Sequence, residues 1–254
     1  MKKTIEFVSK EIVKDDKYSK TTKMYYCKRL INSKVEAYKI LNTGGVFVQY
    51  YNDYLFEICL YDIYVDANFE GKLRVNTDAY FLFFTLKSGL DFTTESGRII
   101  RKNHKETFYL TRNRGGTIVD FRVKAGNRQF FYIVPKYEWL KSRYSEDEIL
   151  SNFISPTNGN FKMYDHLPSF YLDNKVRKLL DNFFKENSWK TLTNEAYVLD
   201  SVCKIMDHYQ SMLLKGNHCQ SEKIADDIFA VRDYIEENHR KIDIGNLKSI
   251  ADKF

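Results

Sequence analysis

The feature that most constrains this chain is a change of period at Pro135. Up to Val134, short runs rich in Val, Ile, Tyr, Phe and Thr alternate in and out, separated by turn signals about ten residues apart. The turns fall at 42–45, 51–53, 66–68, 87–89, 95–97, 113–116 and 124–127, each carrying Gly, Asn or Asp, the residues that tolerate a positive φ. Between them lie the strands VEAYKIL, FEICLYDIYV, AYFLFFTL, ETFYLT, GTIVDFRV and QFFYIV. In AYFLFFTL the alternation vanishes, as expected of a strand buried on both faces. This half predicts an antiparallel β barrel with a filled interior or one small ligand cavity.

After Pro135 the period becomes helical. PKYEWLKSRY reads as a helix with proline in its first turn, and SEDEIL opens a second short one. The loop SPTNGN then marks a boundary, so the α+β chain divides into a β-barrel domain over 1–155, a helical linker over 156–220 and a terminal unit over 221–254. In the linker, Leu172, Val176, Leu179, Leu180 and Phe183 share one helix face. A second helix carries Leu192, Leu199, Val202, Met206, Tyr209 and Leu213 as a heptad seam. Leu199, Val202, Met206, Tyr209 and Leu213 are the dimerisation candidates, and the same seam equally suits packing within the chain.

The net charge of +6 suggests nucleic acid, but its placement does not. From Glu222 onward six Lys plus Arg stand against eight Asp plus Glu, so the basic excess lies in the preceding residues. The N-terminus has no signal-peptide core, no apolar run is long enough to span a membrane, and the four cysteines lack metal or disulfide spacing. These features predict a reduced, cytoplasmic protein without a membrane partner.

The terminal stretch is the most specific. Ser221 caps an amphipathic helix through Ile224, Ile228, Val231 and Ile235, and His239, Arg240 and Lys241 complement its C-terminal dipole. Asn246 then opens a second helix with Leu247, Ile250, Ala251 and Phe254 on one side. The pattern Tyr234-Ile235, Asn238, Leu247, Ile250, Ala251 and Phe254 resembles the start of the DNA-binding domain of AraC-family transcription regulators, with Ile250 in place of the usual Leu and Gly245 where a hydrophobic residue is common. The order barrel, helical linker, helix-turn-helix resembles the same family's cupin-like sensor arrangement. The resemblance implies an effector-sensing, homodimeric regulator in which Leu247, Ile250, Ala251 and Phe254 form the scaffold of the DNA-binding unit. The recognition helix of that motif would follow Phe254, so the chain is expected to be a truncated form that does not bind its operator specifically.

No catalytic constellation is legible. The five histidines form no HxH pair and only His104 falls in the β region, so no metal or other cofactor is expected. Phe81, Phe83, Phe92, Tyr109 and Phe121, with Arg122 as an anchor, are the candidate ligand-binding residues for a small-molecule effector; the aromatics suit a filled barrel equally well. A metal-free cupin-like enzyme would need Asp91, Glu106 and Asp120 as interior acid and base, and a stand-alone interaction module would use the heptad helix.

Overall fold

The computed structural model describes residues 3–15, 28–30, 32–87, 90–93, 99–103, 106–155, 163–184 and 191–216. The residues that carry the AraC-like pattern, including Leu247, Ile250, Ala251 and Phe254, lie outside them. Strands run in the order β1 (Ile5–Phe7), β2 (Ile12–Lys14), β3 (Lys34–Ile40), β4 (Gly44–Asn52), β5 (Phe56–Val65), β6 (Phe69–Val75) and β7 (Ala79–Lys87). They continue with β8 (Leu90–Thr93), β9 (Ile99–Asn103), β10 (Thr107–Asn113), β11 (Ile118–Val123) and β12 (Gly126–Pro135). Helices α1 (Tyr137–Tyr144) and α2 (Glu148–Ile154) precede two more short strands, β13 (Tyr164–His166) and β14 (Phe170–Tyr171), and then α3 (Asn174–Phe184) and α4 (Thr191–Lys215).

The strands form two open antiparallel sheets. One has five strands in the order β1-β6-β11-β8-β9; the other has nine, in the order β13-β10-β7-β12-β5-β4-β3-β2 with β14 also on β10. The closed barrel expected from the sequence is therefore not formed among the described residues. Alternation identifies an inward face but not whether the opposing wall is joined by hydrogen bonds or only by side chains; here side chains join it.

The middle sheet is buried on both faces because a different layer covers each. Phe81 and Phe83 of β7 face the five-stranded sheet with Tyr61 and Tyr132 of their own sheet, and share one core with Phe121 of β11. Tyr80, Leu82 and Phe84 of the same strand face the helices, together with Phe108, Phe131, Val202, Met206 and Tyr209. That explains why AYFLFFTL shows no alternation. Turn chemistry holds where expected, with Asn42 at φ 64 between β3 and β4 and Gly116 at φ 84 between β10 and β11. Gly71 has a packing reason instead: a Cβ there would meet the Phe121 ring at 2.5 Å.

The helical half begins later than its sequence suggests. Pro135 closes β12, paired with Phe56, and α1 starts two residues beyond it with Lys136 as N-cap. Leu172, expected on the helix face, lies instead between the strand Phe170–Tyr171, paired with β10, and α3, which Asp173 Oδ1 caps by accepting from the Val176 amide at 2.8 Å. Residues 163–184 and 191–216 share the packing of the large sheet. β13 and β14 extend the large sheet, and α3 and α4 share one core with it.

Four of the five dimerisation candidates pack within the chain in that core. Val202, Met206 and Tyr209 are fully buried and Leu213 nearly so, all against the sheet of their own chain. Tyr209 also completes a ladder. β10 pairs with β14 at 107–108 and with β13 at 111–113, which leaves Leu110 between them. The Leu110 amide donates to the Tyr209 hydroxyl at 3.2 Å, and that hydroxyl donates to the Pro168 carbonyl at 2.7 Å. Nearby, the Arg112 guanidinium, 4% exposed, holds α2 and β13 together, donating to the Phe153 carbonyl and to Asp165, both at 2.9 Å.

The two sheets are fastened at the N-terminus. Thr4 donates its amide and its hydroxyl to buried Glu57, and Lys3 bonds Glu36, which also accepts from the Tyr38 hydroxyl at 2.6 Å and from Lys14 at 3.2 Å. Burial alone would raise the Glu36 carboxyl, but the bonds from Lys3, Tyr38 and Lys14 outweigh it and pull the group from 4.5 down to about 2.

Two outcomes follow from this packing. Tyr209→Phe orphans the Leu110 amide and the Pro168 carbonyl and costs about 1–3 kcal/mol, read by chemical denaturation at two protein concentrations a hundredfold apart; a midpoint that moves with concentration would restore the subunit-interface reading. Because the Glu36 pKa is depressed in the fold, its stabilisation is present above about 4.5 and lost as pH falls toward about 2. The difference in thermal midpoint between wild type and Glu36→Gln therefore shrinks over that window.

Candidate functional site

The five predicted aromatic ligand residues do converge, between the two sheets. Phe83 meets Phe92 edge-on at 5.7 Å, Tyr109 at 5.6 Å and Phe130 in a stack at 5.5 Å. Phe81 meets Tyr132 at 5.5 Å, and Phe121 lies over Gly71 against Phe69 at 6.0 Å. All five are 9% exposed or less, so this space is filled by aromatic packing, which suits ring pairs at these separations. The interior is also uncharged at its phenols. Tyr61 and Tyr132, with hydroxyls 3.3 Å apart, are held well above the ordinary tyrosine value, mainly by burial.

Arg122 is not among them. It occupies the opposite face of β11 from Phe121, and its Nε is 2.7 Å from Glu70 Oε1 on the outside of the five-stranded sheet. A buried cation beside these aromatics that alternation did not single out is Arg101, 4% exposed, with its guanidinium 4.4 Å from the centre of the Tyr109 ring and Nη1 3.1 Å from His166 Nδ1. The three carboxylates of the enzyme alternative do not converge. Asp120 lies outward with Lys72 at 3.6 Å, Asp91 sits opposite Arg122 on that outer face, and Glu106 pairs with Arg177 at 3.0 Å. Among the described residues no group of His, Cys, Asp and Glu is placed to hold a metal ion, and no helix is long and apolar enough to cross a membrane.

Open space lies instead where helices meet the ends of the large sheet. The first groove, about 610 Å³, runs between the β4–β5 turn and the start of α4. Asp53 shapes it: its Oδ1 accepts the amides of Leu55 at 2.6 Å and Phe56 at 2.8 Å, a tight side-chain-closed turn that leaves Tyr54 89% exposed. Glu195, Ala196 and Leu199 of α4 form the facing wall, so Leu199, unlike Val202, Met206, Tyr209 and Leu213, is a half-buried groove residue. The Tyr51 phenol is pushed up to about 12, first by burial and then by the carboxylates of Asp53 and Glu195. Asn52 adds a buried side-chain oxygen with no donor.

The second groove, about 670 Å³, lies between the sheet end and α1. Tyr80 and Tyr137 stack at 6.3 Å across it, and Lys136 and Lys141 are balanced by Asp78 and Glu138, so its lining favours neither sign of charge. Sequence periodicity marked neither groove. The signals present were the Tyr-Asn-Asp-Tyr turn at 51–54 and Glu195 interrupting an otherwise apolar seam.

No family model matches the chain, and no characterised protein sequence matches it. Among solved structures it is similar to the AraC-like transcriptional activator CuxR at 12% identity, covering 83% of this chain and 70% of that one with a TM-score of 0.41. ToxT from Vibrio cholerae is similar at 13% identity over 78% of this chain and 75% of that one, with a TM-score of 0.36. A mutant oxalate decarboxylase from Bacillus subtilis is similar at 8% identity over 47% of this chain and 38% of that one, with a TM-score of 0.29. At such scores the likenesses fix neither family nor activity.

If the inter-sheet aromatics are core, Phe83→Ala costs about 3–5 kcal/mol of stability, whereas Tyr54→Ala at the groove stays within about 0.5 kcal/mol of wild type. Equilibrium denaturation of both variants checks this, and a fully stable Phe83→Ala would show that the interior tolerates open space.

Proposed function

We propose that this chain is the sensing part of a transcription regulator of the AraC type, in which the β sandwich with its helices receives a small-molecule signal and α4 relays it toward 221–254. The observation that carries the reading is the Tyr234-Ile235, Asn238, Leu247, Ala251 and Phe254 pattern, which follows shortly after α4 in the chain. The form of α4 supports it. Its 25 residues, Thr191–Lys215, span about 37 Å, with the groove residue Glu195 near one end and Gly216, whose φ of 66 ends the helix as a left-handed cap, at the other. Its inner face is held to the sheet by Val202, Ile205, Met206, Tyr209 and Leu213, so the helix moves only with the sheet or by exchanging one packing for another.

In this reading an effector acts by binding one arrangement of sandwich and α4 more tightly than another, since equal affinity shifts nothing. With the seam used internally, a homodimer would meet through other surfaces, such as the outward side of α4 where Tyr197 and Leu214 are exposed. Contact with DNA belongs to 221–254 and to the recognition helix such a scaffold presents.

The test is fluorescence anisotropy on the DNA upstream of the gene, across a salt series, with the product of the complete reading frame and with a form ending at Gly216. The complete product binds specifically with a steep salt dependence, and the shortened form does not. Ala251→Asp in the complete product weakens specific binding at least tenfold while leaving the thermal midpoint of the sandwich in place. Specific binding that survives loss of 217–254, or no specific binding by any form, would refute the proposal.

A further inference from the structure

We infer that the groove between the β4–β5 turn and α4 binds a small organic cation, a primary ammonium carried on a compact apolar body. As the effector of the proposed sensor this ligand rests on that reading; as a binding site it stands on the groove itself. Four observations converge there. The space, about 610 Å³, falls within the range of small-molecule sites. Among the described residues that line it, the charged ones are Asp53 and Glu195, both negative, and none is Lys, Arg or His.

Asp53 is partly occupied, since its Oδ1 accepts two turn amides, but no cation among the described residues pairs with Glu195. The Asn52 side-chain oxygen is buried in the same lining without a donor, a costly condition that an N–H from a ligand relieves. Finally, the walls are Tyr51 and Tyr54 on one side and Leu199 on the other, giving ring faces for a cation and apolar surface for its body.

These features select among ligand chemistries. An anion meets two carboxylates and finds no cation among the described lining residues. A neutral apolar molecule leaves Asn52 and Glu195 unanswered. A quaternary ammonium answers the charge but has no N–H for Asn52. A primary ammonium supplies both, with its third N–H left for water or a carboxylate oxygen. The Tyr51 phenol, raised first by burial, is raised further by the same two carboxylates, Asp53 and Glu195. The second groove, with both signs balanced, offers no such selection.

The test uses three probes of one shape on the 254-residue chain at pH 7: cyclohexylamine, cyclohexanol and cyclohexanecarboxylate, followed by backbone amide NMR titration. Cyclohexylamine gives saturable shifts concentrated at 51–56 and 195–199. Cyclohexanol binds at least about tenfold more weakly, and the carboxylate gives no saturable shifts in that region. Glu195→Gln weakens the amine about tenfold, the equivalent of one lost charge contact, and Tyr54→Ala weakens it several-fold; both sites are exposed, so thermal midpoints that stay in place exclude unfolding as the cause. Added salt weakens the amine alone.

Absence of saturable shifts up to 10 mM amine, equal binding of amine and alcohol, or indifference to Glu195→Gln would each overturn the assignment. Amine binding without DNA binding by any form would sink the regulator reading and leave the site standing. Specific DNA binding with no amine binding would do the reverse.

Discussion

One side-chain hydroxyl holds the architecture to a single arrangement. The outer edge of β10 is covered by two short strands that leave Leu110 uncovered between them, and Tyr209 reaches from α4 to accept its amide while donating to Pro168. A buried backbone donor has few ways to be satisfied, and here the partner lies on a helix far along the chain. Sheet edge and helix register are therefore set together. The aromatic packing of the Tyr209 ring on Phe108 and Phe170 fixes the same position a second way. Once α4 is placed, its seam is committed to the sheet, and its first turns have to face the β4–β5 turn, where the acidic groove forms.

Much of this was legible in the sequence, for identifiable reasons. Alternation and turn residues located strands with one outward face, such as β3 and β11, and the featureless AYFLFFTL correctly marked the strand with a core on both faces. What alternation could not encode was closure. Whether an inward face meets the far wall of a barrel or a second sheet depends on edges, and the edge strands β13 and β14 are three and two residues long, too short to show a period. The same shortness hid the fact that the helical half continues the sheet's core. Heptad spacing grouped Val202, Met206, Tyr209 and Leu213, which do share a buried face of α4, but could not tell a sheet from a second helix as their partner, because both reward the same apolar stripe.

The candidate site was the least legible part. Large aromatics on strands suggested a pocket, yet rings that converge at 5–6 Å between two sheets satisfy one another and leave the space filled. Arg122 looked like an anchor only because its strand neighbour Phe121 points inward; adjacent residues on a strand point to opposite faces, so the pairing itself argued against a shared pocket. The groove that carries unmatched charge is built from a turn and one helical face more than 140 positions apart in the chain, a juxtaposition no local pattern records.

The double burial of β7 has a consequence for how this protein can change. Its odd-numbered side chains belong to one compartment and its even-numbered ones to another, with a single backbone as the wall between them. Enlarging a residue on one side displaces the wall into the other, where Tyr80, Leu82 and Phe84 meet the helices. The two compartments therefore cannot drift independently: a substitution tolerated by the inter-sheet aromatics must also be tolerated by the seat of the helices. Groove residues such as Tyr54 and Glu195 escape that coupling, so binding preference can diversify at the periphery while the wall stays as it is.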